Sequence, residues 1–403
     1  MSQLFNSDRM WRKSPLRDRY DVVIIGAGVH GLATAYYLCK RGIKNIAILD
    51  RGYLGGGNSG RNTAILRSNY RTPEGISFYD ESIKLYEGLS EELEFNLLFA
   101  QEGHLTLAHT DSALIGLRVR ADANRVIGVN SRLVDRDEIE TLVPELDLSL
   151  DVRNPVLGAL YHPPGGIIRH DAVVWGYARG VDRMGAEIHT HTEVIGIGRQ
   201  NGRIDSVKTT RGDIQTEFVV NATSGWCTSV ARLAGVSLPV TSHPLQACVT
   251  EPLKPFLDKV VVSANLHVYV NQTDRGEVVL GAEIDPYVSY SLRSTFPTLE
   301  LIASHTLELF PCLKDVCVMR QWTGVCDMTP DFSPIIGEVP GLRGFILDVG
   351  WGTYGFKAGP VAGYRVAELI ATGKTPELIR PFQLSRFSEN RLVGEKAAAA
   401  VSS

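Results

Sequence analysis

Asp21-Val-Val-Ile-Ile-Gly-Ala-Gly-Val-His-Gly31, together with Asp50, is the stretch whose reading decides the fold. An apolar run forms a strand, the glycines form a tight turn, and Leu32-Ala-Thr-Ala-Tyr-Tyr-Leu-Cys39 continues as a helix. A second strand, Asn45-Ile-Ala-Ile-Leu-Asp50, ends in a carboxylate. Gly26 permits the turn, Gly28 lets the backbone approach a pyrophosphate, and Gly31 lets helix and strand pack closely. Val29 and His30, between the second and third glycines, are counted among the cofactor-binding residues, and the helix N-terminus turns free N–H groups and its positive dipole end toward the phosphates. Asp50 stands where an acid accepts hydrogen bonds from a ribose, and it would repel the 2′-phosphate of NADP. The pattern predicts a dinucleotide site in an α/β fold, with a glycine turn serving packing alone as the lesser reading.

The rest of the composition narrows the class. At 403 residues the chain buries a substantial core and divides into two lobes. A net charge of −4 gives no attraction to nucleic acid or to anionic membranes. No apolar run is long enough to span a bilayer, and the first residues lack a secretory apolar region. The six cysteines are scattered, without a Cys-x-x-Cys pair, so no metal site is expected. Such cysteines suit the reduced core of a cytoplasmic protein.

Beyond the fingerprint, Leu54-Gly-Gly-Gly-Asn-Ser-Gly-Arg-Asn-Thr63 is a glycine-rich loop able to wrap a flat cofactor. Asn58, Arg61, Thr63 and the following Ile65 are its candidate contacts. Residues 77–148 alternate amphipathic helices with a short strand pair around 103–108 and suggest an inserted lobe. Asp171 is expected to cap the helix Ala172–Met184. A β-rich stretch over 240–285 forms a plausible floor for a substrate cavity. The segments 331–337 and 345–349, the loop Gly350–Gly355 and a last helix return to the nucleotide lobe.

Together these segments resemble the glycine oxidase/sarcosine oxidase branch of FAD-dependent amine oxidoreductases, and within it the beta subunits of bacterial heterotetrameric sarcosine oxidases. The resemblance is carried by the fingerprint, Gly55–Tyr70, Arg169-His-Asp-Ala-Val-Val-Trp175, Ser242-His-Pro-Leu-Gln-Ala247, Leu266-His-Val-Tyr-Val270 and Gly350-Trp-Gly-Thr-Tyr-Gly-Phe-Lys357. It runs from about residue 20 to 385. It implies a discontinuous Rossmann-like FAD-binding domain (18–85, 155–235 and 335–385) and a mixed-sheet substrate domain with helices (86–154 and 236–334). Residues 1–17 and 386–403 are read as terminal arms.

The resemblance also implies one noncovalent FAD and one covalent FMN, the latter on His170 through its 8α-methyl carbon. Arg67 and Lys357 match the pair that binds the substrate carboxylate, a role suited to a guanidinium fork and an ammonium. The implied reaction oxidises sarcosine at FAD to an imine, giving glycine with formaldehyde or methylene-tetrahydrofolate. Electrons then pass to FMN and to O2, giving H2O2. The implied partners are a larger alpha subunit and smaller gamma and delta subunits.

Gly352 and Gly355 belong to a loop expected to turn backbone N–H groups toward the flavin. Val194 is expected near adenine and Asn221–Gly225 near the pyrophosphate. Arg61 and Arg320 are candidates for the FMN phosphate or the flavin surroundings, with ordinary ion pairing equally open. Single-chain family members anchor FAD on a cysteine that aligns with Gly324, and their oxygen-assisting lysine aligns with Val279. Two other readings remain: a two-flavin dehydrogenase of another secondary amino acid such as proline, and a flavin-binding scaffold without catalysis.

Overall fold

The computed structural model describes residues 11–395. Two sheets dominate it. In the first, six strands lie in the order Ile335–Glu338, Phe345–Val349, Phe218–Asn221, Val22–Ile25, Ile46–Leu49, Glu187–His189. Five of them run parallel, and Ile335–Glu338 joins the edge antiparallel. Val22–Ile25 and Ile46–Leu49 are buried along their whole length, as strands covered on both faces must be.

The two-residue alternation of a strand sorts these side chains. Val22, Ile24, Ile46 and Ile48 face the helices Val29–Lys40, His170–Met184 and Gly355–Thr372. Val23, Ile25, Ala47 and Leu49 face an antiparallel meander of Val194–Gln200, Arg203–Thr209 and Gly212–Gln215. The sheet therefore draws its strands from the start, middle and end of the chain.

The second sheet has eight strands in the order Val318–Met328, Thr241–Pro252, Glu277–Ile284, Val268–Gln272, Val260–Ser263, His104–Ala108, Gly158–His162, Arg132–Val134. The helix Phe296–Leu309 covers it, with Ile302 and Leu309 against Cys248, Val270 and Leu280. His104–Ala108 is not half of a local strand pair. It runs parallel to Val260–Ser263 and antiparallel to Gly158–His162, partners that no local pattern reveals.

Three expected boundaries move. The strand Gly158–His162 belongs to the second sheet, so the nucleotide lobe does not resume at residue 155. The helix Pro73–Leu93 runs unbroken across the 85/86 boundary; it is capped by Thr72 and packs on the last helix. The helix expected after Asp171 starts at His170, with Arg169 at the cap position. Asp171 lies in its first turn, where it pairs with Arg169 at 2.8 Å and accepts from the Ala172 N–H. A first-turn acid favours the helix dipole as well as a cap does, which is why the sequence signal was off by two positions.

The terminal arms lie partly outside the described residues, at 1–10 and 396–403. The described part of the first packs on the chain: Trp11 joins the core and Arg12 bonds Asp182. The second is not an arm up to Glu395. Arg386 forms a two-pronged, fully buried ion pair with Asp331 at 2.8 and 2.9 Å. Glu395 accepts from the Arg71 and Thr72 N–H groups at the start of the helix Pro73–Leu93.

Candidate active site

A cavity of about 660 Å3 opens between the two sheets. One end is built on the fingerprint. Gly26, at φ +111°, turns tightly below Ala222, where a Cβ would overlap the Ala222 carbonyl oxygen. Gly31 does not line the cavity; a Cβ there would overlap the Gly26 carbonyl oxygen, so it serves the packing of turn on helix. Gly28, Val29 and His30 line the cavity, and Gly28 at the cap position has no side chain to cover the helix N-terminus.

Asp50 closes this end. Its carboxylate accepts from Ala27 N–H at 2.9 Å and Gly52 N–H at 2.8 Å, so it braces both the glycine turn and the strand end. Val194 lines the wall beside it, as do Thr192 and Glu193. Ala222, Thr223 and Ser224, from the turn expected near the pyrophosphate, line it too. Arg51 lies 4.3 Å over the Trp226 ring at the same end.

The glycine-rich loop forms one flank, and Asn58, Arg61, Thr63 and Ile65 all line the cavity. Asn58 ties the two sheets together. Its Oδ1 accepts from Val325 N–H at 2.9 Å, and its Nδ2 donates to Ser224 Oγ at 2.8 Å and Val325 O at 2.6 Å. Arg61 turns its guanidinium onto the Gly56 and Gly57 carbonyls of its own loop.

The C-terminal loop closes the opposite flank. Gly352 and Gly355 line the cavity with Trp351, Thr353 and Tyr354. Two of the expected N–H donors are turned away from it: Gly350 N–H donates to Asp327 Oδ2 at 2.6 Å and Gly352 N–H to the Asp327 carbonyl at 3.0 Å. Asp327 is fully buried, and burial pushes its carboxyl up to about 6. His30 joins this loop to the fingerprint. Its Nδ1 lies 2.9 Å from Asp348 Oδ1 and its Nε2 2.8 Å from the Gly355 carbonyl. Burial opposes the charged ring, but the Asp348 carboxylate, the Gly355 carbonyl and Asp327 together raise the His30 pKa.

The far end of the cavity is cationic. Arg67 and Lys357 line it, both buried, with the Arg67 guanidinium 5.8 Å and the Lys357 ammonium 5.7 Å from the centre of the Tyr354 ring. Arg67 also lies 4.3 Å over Tyr70. Burial and the neighbouring Arg67 push the Lys357 ammonium down to about 7. Arg120 and His104 line the same end, both buried. Burial and Arg67 hold His104 well below its usual range, so its ring is neutral. Among the described residues no carboxylate forms an ion pair with Arg67, Arg120 or Lys357. Such a cluster suits an anionic ligand group.

Besides Gly31, Arg320, Val279 and His170 also stand outside the cavity. Arg320 is exposed near the start of the strand Val318–Met328. Val279 does not line the wall, because its strand is screened there by Tyr269, whose ring lies against Gly281. His170 is half-buried at the first position of its helix, and burial lowers its pKa, leaving a neutral imidazole. Gly324 does line the cavity, with Cys326 beside it. Burial raises the Cys326 pKa, so that thiol stays protonated. No sequence motif marks Arg120, His104, Asp327 or Asp348; each reaches the site through a distant strand or helix.

These residues fit FAD: a glycine cradle, a helix N-terminus whose cap position is glycine and whose first N–H donates to Ser59 Oγ at 2.9 Å, and a strand-end acid lie in one long cavity with a cationic end. Among the described residues no group of His, Cys, Asp and Glu gathers as for a metal ion, and no helix is long and apolar enough to cross a membrane.

Comparison with known proteins agrees with the geometry. The family described as FAD dependent oxidoreductase (DAO) matches residues 21–369. Sarcosine oxidase subunit beta of Rhodobacter capsulatus is 42% identical over 98% of this chain and 95% of its own. That of Rhizobium meliloti is 44% identical over 97% and 94%. Among solved structures, L-proline dehydrogenase from P. horikoshii superposes with a TM-score of 0.89 at 29% identity, covering 94% of this chain and 100% of that one. The chain thus belongs to the FAD-dependent oxidoreductase family, in the group of the sarcosine oxidase beta subunits.

Proposed function

We propose that the chain is the catalytic flavin subunit of a sarcosine-oxidising complex, binding FAD without a covalent bond. The observation that carries this reading is the pair Arg67 and Lys357, buried beside Tyr354 in the same cavity as the glycine cradle. The bound flavins would supply the redox chemistry, FAD accepting two electrons and the hydrogen of the N-methyl carbon, and FMN relaying electrons to O2 with H2O2 as product. The remaining work belongs to the chain. Arg67 and Lys357 grip the carboxylate and so orient the amine and methyl carbon. The positive field of this end disfavours a protonated amine and so selects the neutral form that reacts. The buried walls exclude water.

Gly324 and the protonated Cys326 support noncovalent FAD, since neither offers a thiolate. His170 is the proposed anchor of FMN: it is half-buried, stands apart from the FAD cavity, and presents a neutral imidazole able to attack the 8α carbon. FMN would then lie at the boundary with a larger alpha subunit, in a heterotetramer completed by gamma and delta subunits. The six unpaired cysteines suit a cytoplasmic location. The imine would yield glycine with formaldehyde, or with methylene-tetrahydrofolate where a folate is present.

Anaerobic addition of sarcosine to the assembled complex tests the reading. Flavin absorbance should bleach, and aerobic turnover should release H2O2. No bleaching would leave a flavin-binding scaffold. A second reading, a two-flavin proline dehydrogenase, is favoured by the likeness to the P. horikoshii protein of that name. Proline oxidation without peroxide would replace the first reading with it.

A further inference from the structure

We propose that Arg120 is a positioning residue for the substrate carboxylate, fixing the Arg67 guanidinium through Asn69. The proposal rests on the reading of Arg67 as a carboxylate ligand. Arg67 NH1 donates to Asn69 O at 3.3 Å and Asn69 Oδ1 at 3.1 Å. Arg120 takes the same two oxygens as a fork, Nε to Asn69 O at 2.5 Å and NH2 to Asn69 Oδ1 at 3.0 Å. A two-pronged guanidinium fixes orientation in a way that a single donor does not.

The amide of Asn69 shows which group sets the geometry. Its Nδ2 is buried without a partner, which is costly on its own. Turning the amide over would point that NH2 at two guanidiniums, so the cations hold Oδ1 toward themselves. Asn69 is fully buried and has no solvent to compensate.

The same helix holds the neighbouring residue. Asn124, one turn beyond Arg120 on the buried face of Asp111–Ile127, donates from Nδ2 to the Tyr70 carbonyl at 2.9 Å. Arg67 stacks over the Tyr70 ring. Both supports of Arg67, Asn69 and Tyr70, are therefore gripped from one face of one helix. Among the described residues Arg120 has no carboxylate partner of its own, so a bound carboxylate also relieves the repulsion between the two guanidiniums. Both effects act through Arg67, the geometry by holding its guanidinium and the charge by the repulsion that the carboxylate relieves.

The test uses the flavin-loaded complex and Arg120→Met, Arg120→Lys, Arg67→Met and the Arg67→Met/Arg120→Met pair. Propionate, a carboxylate without an amine, is titrated by its perturbation of flavin absorbance, and KM and kcat are measured with sarcosine. R120M should weaken propionate and raise KM about tenfold, with kcat changed less than about threefold. R120K should recover part of this. In the R67M background, R120M should change propionate affinity less than about twofold. Additive losses in the pair, or normal KM with lowered melting temperature in R120M, would overturn the positioning role. Should R120M fail to fold, Asn69→Ala takes its place, with the same rise in KM expected and an unchanged KM fatal. Unaltered propionate binding in R67M would remove the carboxylate reading itself, and the proposal with it.

Discussion

The His30 imidazole bonds Asp348 at 2.9 Å across 318 positions of sequence and, through its other nitrogen, the Gly355 carbonyl at 2.8 Å. Both neighbours are acceptors. Only an imidazolium donates to both, and a neutral ring loses one of the two bonds.

This gives a pH dependence of stability. The folded pKa of His30 lies above its unfolded value of 6.5. The stabilisation is therefore complete below 6.5 and is lost as pH rises through the folded pKa. The stability gap between the wild type and His30→Asn, measured by denaturant titration, should shrink between pH 6 and pH 9. A gap independent of pH would refute the imidazolium assignment.

Lys357 titrates in the same direction, with binding rather than stability as the property that is lost. With its ammonium at about 7 in the free site, raising the pH discharges a cation that the carboxylate needs. Propionate affinity should fall about tenfold from pH 7 to pH 9, because binding and protonation are linked. Lys357→Met should be weak at every pH and flat across that range. A wild-type affinity that does not change over this interval would exclude Lys357 from the carboxylate site.

The proposed role of His170 as the FMN anchor can be tested apart from FAD binding. Because it lies outside the large cavity, His170→Ala should keep FAD and lose covalent FMN. Denaturation, filtration and mass analysis read this directly: protein-bound flavin mass in the wild type, none in the variant, and FAD in both filtrates. Loss of FAD from the variant would contradict the separation.

The C-terminal segment supports the fold through Arg386. Its pair with Asp331 is fully buried, and Arg386 NH2 also donates to Ser333 O at 2.8 Å. Arg386→Met leaves Asp331 as an uncompensated buried charge, at a cost of about 3–5 kcal/mol. Calorimetry should show a clear drop in melting temperature; an unchanged transition would mean that water or another cation replaces the guanidinium.

The local parts of the site were legible in the sequence. The strand, turn, helix and acid of residues 21–50 are contiguous, and each residue type answers a nearby steric or dipolar need. Arg67 and Lys357 came only with the family resemblance, since an arginine after a loop has no local signature. Asn69, Arg120 and His104 were not legible at all. Their roles arise where the helix Asp111–Ile127 and the strand His104–Ala108 meet residues 67–70, contacts that span distant positions. Trp351 to Gly355 line the cavity, but two of the Gly350–Gly355 loop's N–H groups belong to Asp327, an acid with no motif around it. Residue 155 failed as a boundary for a related reason: strand membership depends on a partner far away.

The order of the walls along the chain bears on biosynthesis. The Gly26–Gly31 turn and Asp50 come first, yet the same end needs Ala222–Ser224, the opposite flank is Asp348 to Lys357 and the floor comes from the strands between. A growing chain on the ribosome therefore carries the phosphate-binding turn long before it owns a closed pocket. Flavin capture becomes a late event, and the cofactor acts as a clasp between the two ends of the polypeptide. Shortage of flavin should show itself as protease sensitivity at the C-terminal end first, with the N-terminal turn already formed.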